Sequence, residues 1–214
     1  MKITVPNIYD ALASLYVSGM TEHAQLDETM EGLVVFGAVV AAGTTDIMAA
    51  VTTAAATDVT LDTPILVDPN FGRNLIVTST DADGVVTIHG RDYLNQPMTE
   101  TITCSAGTGT GKKAFKYVDR YVSVSNVGDF SLGSGEELGL PFVVSDIIAE
   151  YANGVPASAP THVVAVTTDP ATATTGDTRG TVTPTTTMNG SASIEMKVRF
   201  DNTDTYGLYG VAQA

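Results

Sequence analysis

Few residues in this chain invite a chemical reading. Gly107, Gly109 and Gly111, followed by Lys112 and Lys113, have the texture of a loop that cradles phosphate on backbone N–H groups. A P-loop needs a glycine five residues before its Gly-Lys pair and a hydroxyl residue after the lysine. Those positions hold Ala106 and Lys113. The run also falls between two predicted strands with no helix behind it, so it reads as a connection. The histidines, His23, His89 and His162, are far apart and lack metalloprotease spacing. Asp81 and Asp83 offer carboxylate oxygens for calcium, but their loop is far shorter than an EF-hand and lacks its closing glutamate; a plain turn is expected. Cys104 is the one cysteine, so no internal disulfide forms, and its strand context predicts a small buried side chain. Glu136 and Glu137 are adjacent and would point opposite ways in an extended chain. With no GxSxG elbow either, the expectation is a protein that is not an enzyme, with no catalytic, cofactor-binding or metal-binding residues.

The elements that would position these groups are strands. Between Arg73 and Val124 four are expected in succession, as a meander. Leu75 to Thr78 run apolar and β-branched into Asp81-Ala82-Asp83-Gly84, a hairpin signal, and Val85 to Ile88 return. In the third strand Thr99, Thr101 and Thr103 face one way and Met98, Ile102 and Cys104 the other. In the fourth, Phe115, Tyr117 and Tyr121 share one face, and Val118, Val122 and Val124 the opposite one. Both faces are partly apolar, which suits a covered sheet.

Upstream, residues 8–20 read as a short helix, with Ile8, Leu12, Leu15, Tyr16 and Met20 near helical spacing. Residues 22–31 read as an acidic loop and residues 33–42 as a buried or shared strand. Residues 46–56 fit either a short Ala-rich helix capped by Asp46 or a strand. Downstream, residues 126–139 read as a Gly/Ser/acidic connection with little packing capacity. Strands flank an Asn153-Gly154 turn, residues 162–167 form another, and a short one lies near residues 180–182. In residues 193–200, Ile194, Met196, Val198 and Phe200 face one side, and Glu195, Lys197 and Arg199 the other. The fold class expected is mainly β: an antiparallel β-sandwich or jelly-roll-like domain with a short N-terminal helix or extended arm. Residues 1–65 would be an arm with the first strands, and residues 66–214 the sandwich body.

A formal net charge of −14, from 24 acidic and 10 basic residues, repels phosphate backbones and anionic lipid, so no nucleic acid and no membrane partner is expected. The N-terminus has no secretory-signal pattern, and the apolar residues 33–42 are too short to span a bilayer, which takes about 20 residues.

Several pieces resemble tailed-bacteriophage virion structural proteins of the β-rich kind. They are GRNLIVTSTDADGVVTIHGRDYLNQPMTETIT, KKAFKYVDRYVSV, LGLPFVV, GDTRGTVTP and YGLYGVAQ, in this order across residues 70–214. The resemblance does not extend to residues 1–65. It implies a structural virion component without catalysis, here a capsid decoration (cement) protein on the outer head surface. The implied partners are the major capsid protein and further copies of the chain, as a homotrimer or homodimer. Such a protein would reside in the host cytoplasm before assembly and on the head exterior after it. The candidate interface residues are Ile8, Leu12, Tyr16, Leu33, Val35, Phe36, Tyr206, Leu208 and Tyr209. A neck, tail or fibre component is the alternative within the class. A carbohydrate-binding or adhesin-like module is the alternative outside it, with Tyr121, Tyr206 and Tyr209 as candidate platforms and Trp absent.

Overall fold

The computed structural model describes residues 3–4, 31–125, 127–200 and 207–213. Among them the chain is all β, and its strands form three sheets. In chain order the strands begin with β1 (Ile3–Thr4), β2 (Glu31–Ala38), β3 (Met48–Thr53), β4 (Thr57–Leu66) and β5 (Arg73–Ser79). There follow β6 (Val85–Arg91), β7 (Pro97–Thr103), β8 (Thr108–Thr110), β9 (Tyr117–Ser123) and β10 (Gly128–Gly139). The last are β11 (Val144–Ala152), β12 (Val155–Pro156), β13 (Thr161–Val163), β14 (Thr181–Thr183) and β15 (Ser193–Phe200). The first sheet has the order β1-β2-β15-β11-β12. The second runs β13-β14-β10-β5-β8, with β3 also on β10, and the third runs β4-β9-β6-β7. Pairing is antiparallel except between β1 and β2.

The strand positions expected between Arg73 and Val124 hold, but the four-stranded meander does not. Both edges of β5 are taken, by β8 at Ile76↔Thr110 and by β10 at Leu132↔Val77, so no edge is left for β6. The turn at residues 81–84 therefore carries the chain from the second sheet to the third. There β6 pairs with β7 and β9. Leu75 and Val77 of β5 then join Val86 and Ile88 of β6 in one core, together with Met98, Ile102, Val118, Phe130 and Leu132. The second and third sheets are the two layers of a sandwich around that core.

The simple alternation expected for the fourth strand also fails. His89 pairs with Arg120 but Gly90 pairs with Val118, which leaves Asp119 as an extra residue in β9. This bulge swaps the faces midway. Phe115, Val118, Tyr121 and Ser123 are buried, while Val124 is exposed.

Residues 126–139 are the largest correction. The expected loose connection is β10, which pairs with β3, β5 and β14. Phe130 and Leu132 lie in the sandwich core, and Leu138 lies in a second core with Val34, Phe36, Leu140, Val182, Ile194 and Met196. Phe130 is fully buried and meets Tyr121 edge-on at 5.0 Å between ring centroids. Burying such a side chain contributes about 1.5–3 kcal/mol. The glycines that made the segment look loose permit close approach: a Cβ on Gly133 would run into the Gly43 carbonyl, and one on Gly135 into the Asn74 amide.

Elsewhere residues 46–56 resolve as strand, since β3 pairs along β10 from Thr53↔Gly128 to Met48↔Leu132. The Asn153-Gly154 hairpin forms between β11 and β12, with both turn residues at left-handed φ of 51° and 77°. β15 buries Ile194, Met196, Val198 and Phe200 as its alternation requires. The strand expected over residues 162–167 is shorter, ending as β13 at Val163. The helix expected over residues 8–20 lies outside the described residues.

Candidate functional site

The glycine-rich run that suggested a phosphate loop ends in a site already filled by the protein's own carboxylates. After β8, Gly111 N donates to Leu75 O at 2.7 Å and anchors the chain to β5. Lys112 N and Lys113 N then donate to Glu100 Oε1 and Oε2, at 2.5 and 3.3 Å. Ala114 N donates to Asp177 Oδ2 at 3.0 Å, and Arg179 N to Asp177 Oδ1 at 2.9 Å. Successive backbone N–H groups form an anion-binding concavity, and β7 and the 171–179 segment supply the carboxyl groups that fill it. A Cβ on Gly111 would lie 2.7 Å from Glu100 Oε2, so the glycine admits the carboxylate.

Lys113 is fully buried and its Nζ makes no hydrogen bond. Burial pulls its pKa down, against the attraction of Glu100 and Asp177. Glu100 is 3 % exposed, and desolvation pushes its carboxyl up to about 7 despite the two N–H bonds and the nearby lysine. Both shifts favour the neutral forms.

A second set of buried charges lies beside the first. Arg179 Nη1 donates to Asp92 Oδ2 at 2.8 Å, with both side chains out of solvent. Arg179 Nε also reaches Leu140 O at 3.2 Å, and Asp92 Oδ1 accepts from Gln96 N at 2.7 Å. Arg73 donates from Nε to Gly135 O at 2.9 Å, from Nη1 to Val40 O at 3.0 Å and from Nη2 to Gly135 O. Asn74 bridges Gly111 O and Glu137 N, each at 3.0 Å. Glu150 accepts from Thr185 N and Thr186 N at 2.8 and 2.7 Å. These contacts tie loops to sheets.

The other chemistry-bearing residues are dispersed. Cys104 is buried and free, and burial raises its thiol pKa. His89 on β6 meets Thr99 Oγ1 at 3.1 Å, while His162 is on β13 in another sheet. Among the described residues no group of three or more His, Cys, Asp or Glu is arranged to hold a metal ion.

Of the candidate interface residues, Phe36 points into the core and meets Phe71 edge-on at 5.6 Å. Leu33 and Val35 lie on the opposite face of β2, partly exposed. Leu208 and Tyr209 pack half-buried against the core that holds Phe142. Ile8, Leu12, Tyr16 and Tyr206 lie outside the described residues. Tyr121, a candidate glycan platform, is buried against Phe130. Large exposed apolar side chains occur instead at Val40, Leu66, Val124, Val155, Val163 and Val164.

Sequence reasoning missed the buried charges Glu100, Lys113, Asp92, Asp177 and Arg179. One signal was present: Glu100 stands between Met98 and Ile102 on the inward face of an alternating strand. The others sit in turns and connections, where no periodicity marks the inside. No family model, curated protein or solved structure matches the chain.

Proposed function

We propose that the chain is a structural component of a tailed-phage virion, acting as a decoration (cement) protein bound to the outside of the head. The reading starts from the ordered sequence resemblance across residues 70–214. The observation that carries it further is the placement of exposed valines. Val155, 64 % exposed, stands on β12, the outermost strand of the first sheet. Val163, on β13 at the end of the second sheet, is followed by Val164, also 64 % exposed. Apolar side chains on strand edges that no other described strand pairs with are natural contact points for a neighbouring chain. The acidic balance of 24 to 10 suits a protein on the shell exterior, away from packaged DNA. Internal ion pairs and capped loops suit a rigid body whose weak contacts are multiplied over many copies. The partners on this reading are the major capsid protein and further copies of the chain, in a dimer or trimer.

Quantitative mass spectrometry of purified virions tests the proposal. A copy number of the order of the major capsid protein is expected. A number fitting one ring or a few fibres would move the chain to the neck or tail, and absence from the particle would overturn the virion reading.

A further inference from the structure

Glu100, Lys113 and Asp177 meet where three pieces of chain converge. β7 carries Glu100, residues 111–114 carry the N–H groups and Lys113, and the 171–179 segment carries Asp177. That last segment also covers an open strand edge. β7 is the outermost strand of its sheet, and its Thr101 N donates across the edge to Ala173 O at 2.7 Å. We propose that Glu100, Lys113 and Asp177 form a proton-operated latch that holds the 171–179 segment over the edge of β7 and loosens when Glu100 ionises.

The charge count gives the direction. Lys113 and Asp177 are the charged side chains that act on Glu100. From β6, whose Ile88 stands opposite Glu100, His89 and Arg91 lie on the outer face of the sheet. Arg179 is engaged by Asp92. Lys113 is the cation that faces the carboxyl groups of Glu100 and Asp177, and burial weighs against its own charge. A second ionised carboxylate at Glu100 leaves one negative charge uncompensated in a buried place, which is costly. A proton on Glu100 removes that charge, and the carboxyl group stays beside Lys112 N and Lys113 N. When that proton leaves to solvent, repulsion between Glu100 and Asp177 acts directly on the segment that Asp177 anchors. The edge at Thr101 is then free to accept another strand.

The group's folded pKa lies near 7, above the ordinary 4.5, so the folded chain holds a proton that the unfolded chain has released. The latch is therefore fully closed below the ordinary 4.5, weakens as pH rises from there to about 7, and levels off above it. Two measurements on the full chain test this. Carboxyl carbon NMR with labelled glutamate, assigned by the signal lost in Glu100→Gln, is expected to give a midpoint near 7 for Glu100. In Lys113→Met that midpoint should move higher. Hydrogen exchange should show protection at Thr101 and across residues 171–179 falling as pH rises from 4.5 to about 7 and levelling above it. A Glu100 midpoint in the ordinary range, or protection that does not change between pH 5.5 and about 8, would overturn the latch. Hydrogen exchange on the wild-type chain stands alone if Glu100→Gln does not fold, because its NH2 group would face a backbone N–H.

Discussion

Asp92→Asn is the sharpest probe of how the buried charges act. The substitution keeps the side-chain shape and the oxygen that accepts Gln96 N at 2.7 Å, but removes the charge facing Arg179. Arg179 has only 2 % of its side chain exposed, and its other acceptor is Leu140 O at 3.2 Å. It would remain inside as an uncompensated cation. Breaking a buried pair in this way costs about 3–5 kcal/mol. For a chain of this length each kcal/mol lowers the melting temperature by about 2–4 °C, so a fall of about 6–20 °C is expected. Urea unfolding would give the free energy directly, with an unchanged m-value showing that the denatured state is not altered. The decisive comparison is the double variant Asp92→Asn/Arg179→Met, which removes both charges. It should be more stable than Asp92→Asn alone, because the stranded cation is gone. If the two single losses simply add, the pair is not coupled and the reasoning fails.

Two further outcomes follow from packing. Gly133→Ala places a methyl group against the Gly43 carbonyl within β10 and should cost about 1–3 kcal/mol, seen as a lower urea midpoint; an unchanged midpoint would show that β10 yields there. Cys104 is 2 % exposed with its thiol pKa raised by burial, so alkylation by iodoacetamide in native buffer should proceed only as fast as the protein opens. Rapid stoichiometric labelling of folded protein would contradict the buried position.

The strands that sequence reading located best are those whose alternation survives intact. β15 buries every second residue from Ile194 to Phe200, and no partner is needed to see it. The Asn153-Gly154 turn is equally local, since its left-handed φ values follow from its residue types. Pairing is another matter. The Asp81–Gly84 turn satisfies a hairpin rule, yet β5 and β6 belong to different sheets because β8 and β10 already hold both edges of β5. That competition arises from strands far away in sequence. β9 failed for a related reason: one extra residue at Asp119 reverses its faces, and a bulge leaves no mark in composition. In β10, glycine and serine suggested flexibility, while their small size serves close approach to residues 43 and 74.

The same strand explains where the charges lie. β10 crosses from the sandwich core, at Phe130 and Leu132, to the second core, at Leu138. Between them, Gly135 O accepts from the Arg73 guanidinium and Glu137 N donates to Asn74 Oδ1. Just beyond, Leu140 O takes Arg179. The buried polar contacts therefore follow the seam where the apolar clusters meet. Apolar side chains there would bury more hydrocarbon, and replacing buried ion pairs by well-packed apolar groups is often stabilising. Hydrocarbon contacts, however, are not directional, whereas each guanidinium and amide accepts only one arrangement of its carbonyl partners. These contacts tie β10 to Arg73 and Asn74 of β5 and, through Arg73 Nη1, to Val40 just beyond β2. The latch at Glu100 joins this seam through Asn74, which bonds Gly111 O at the foot of the 111–114 segment.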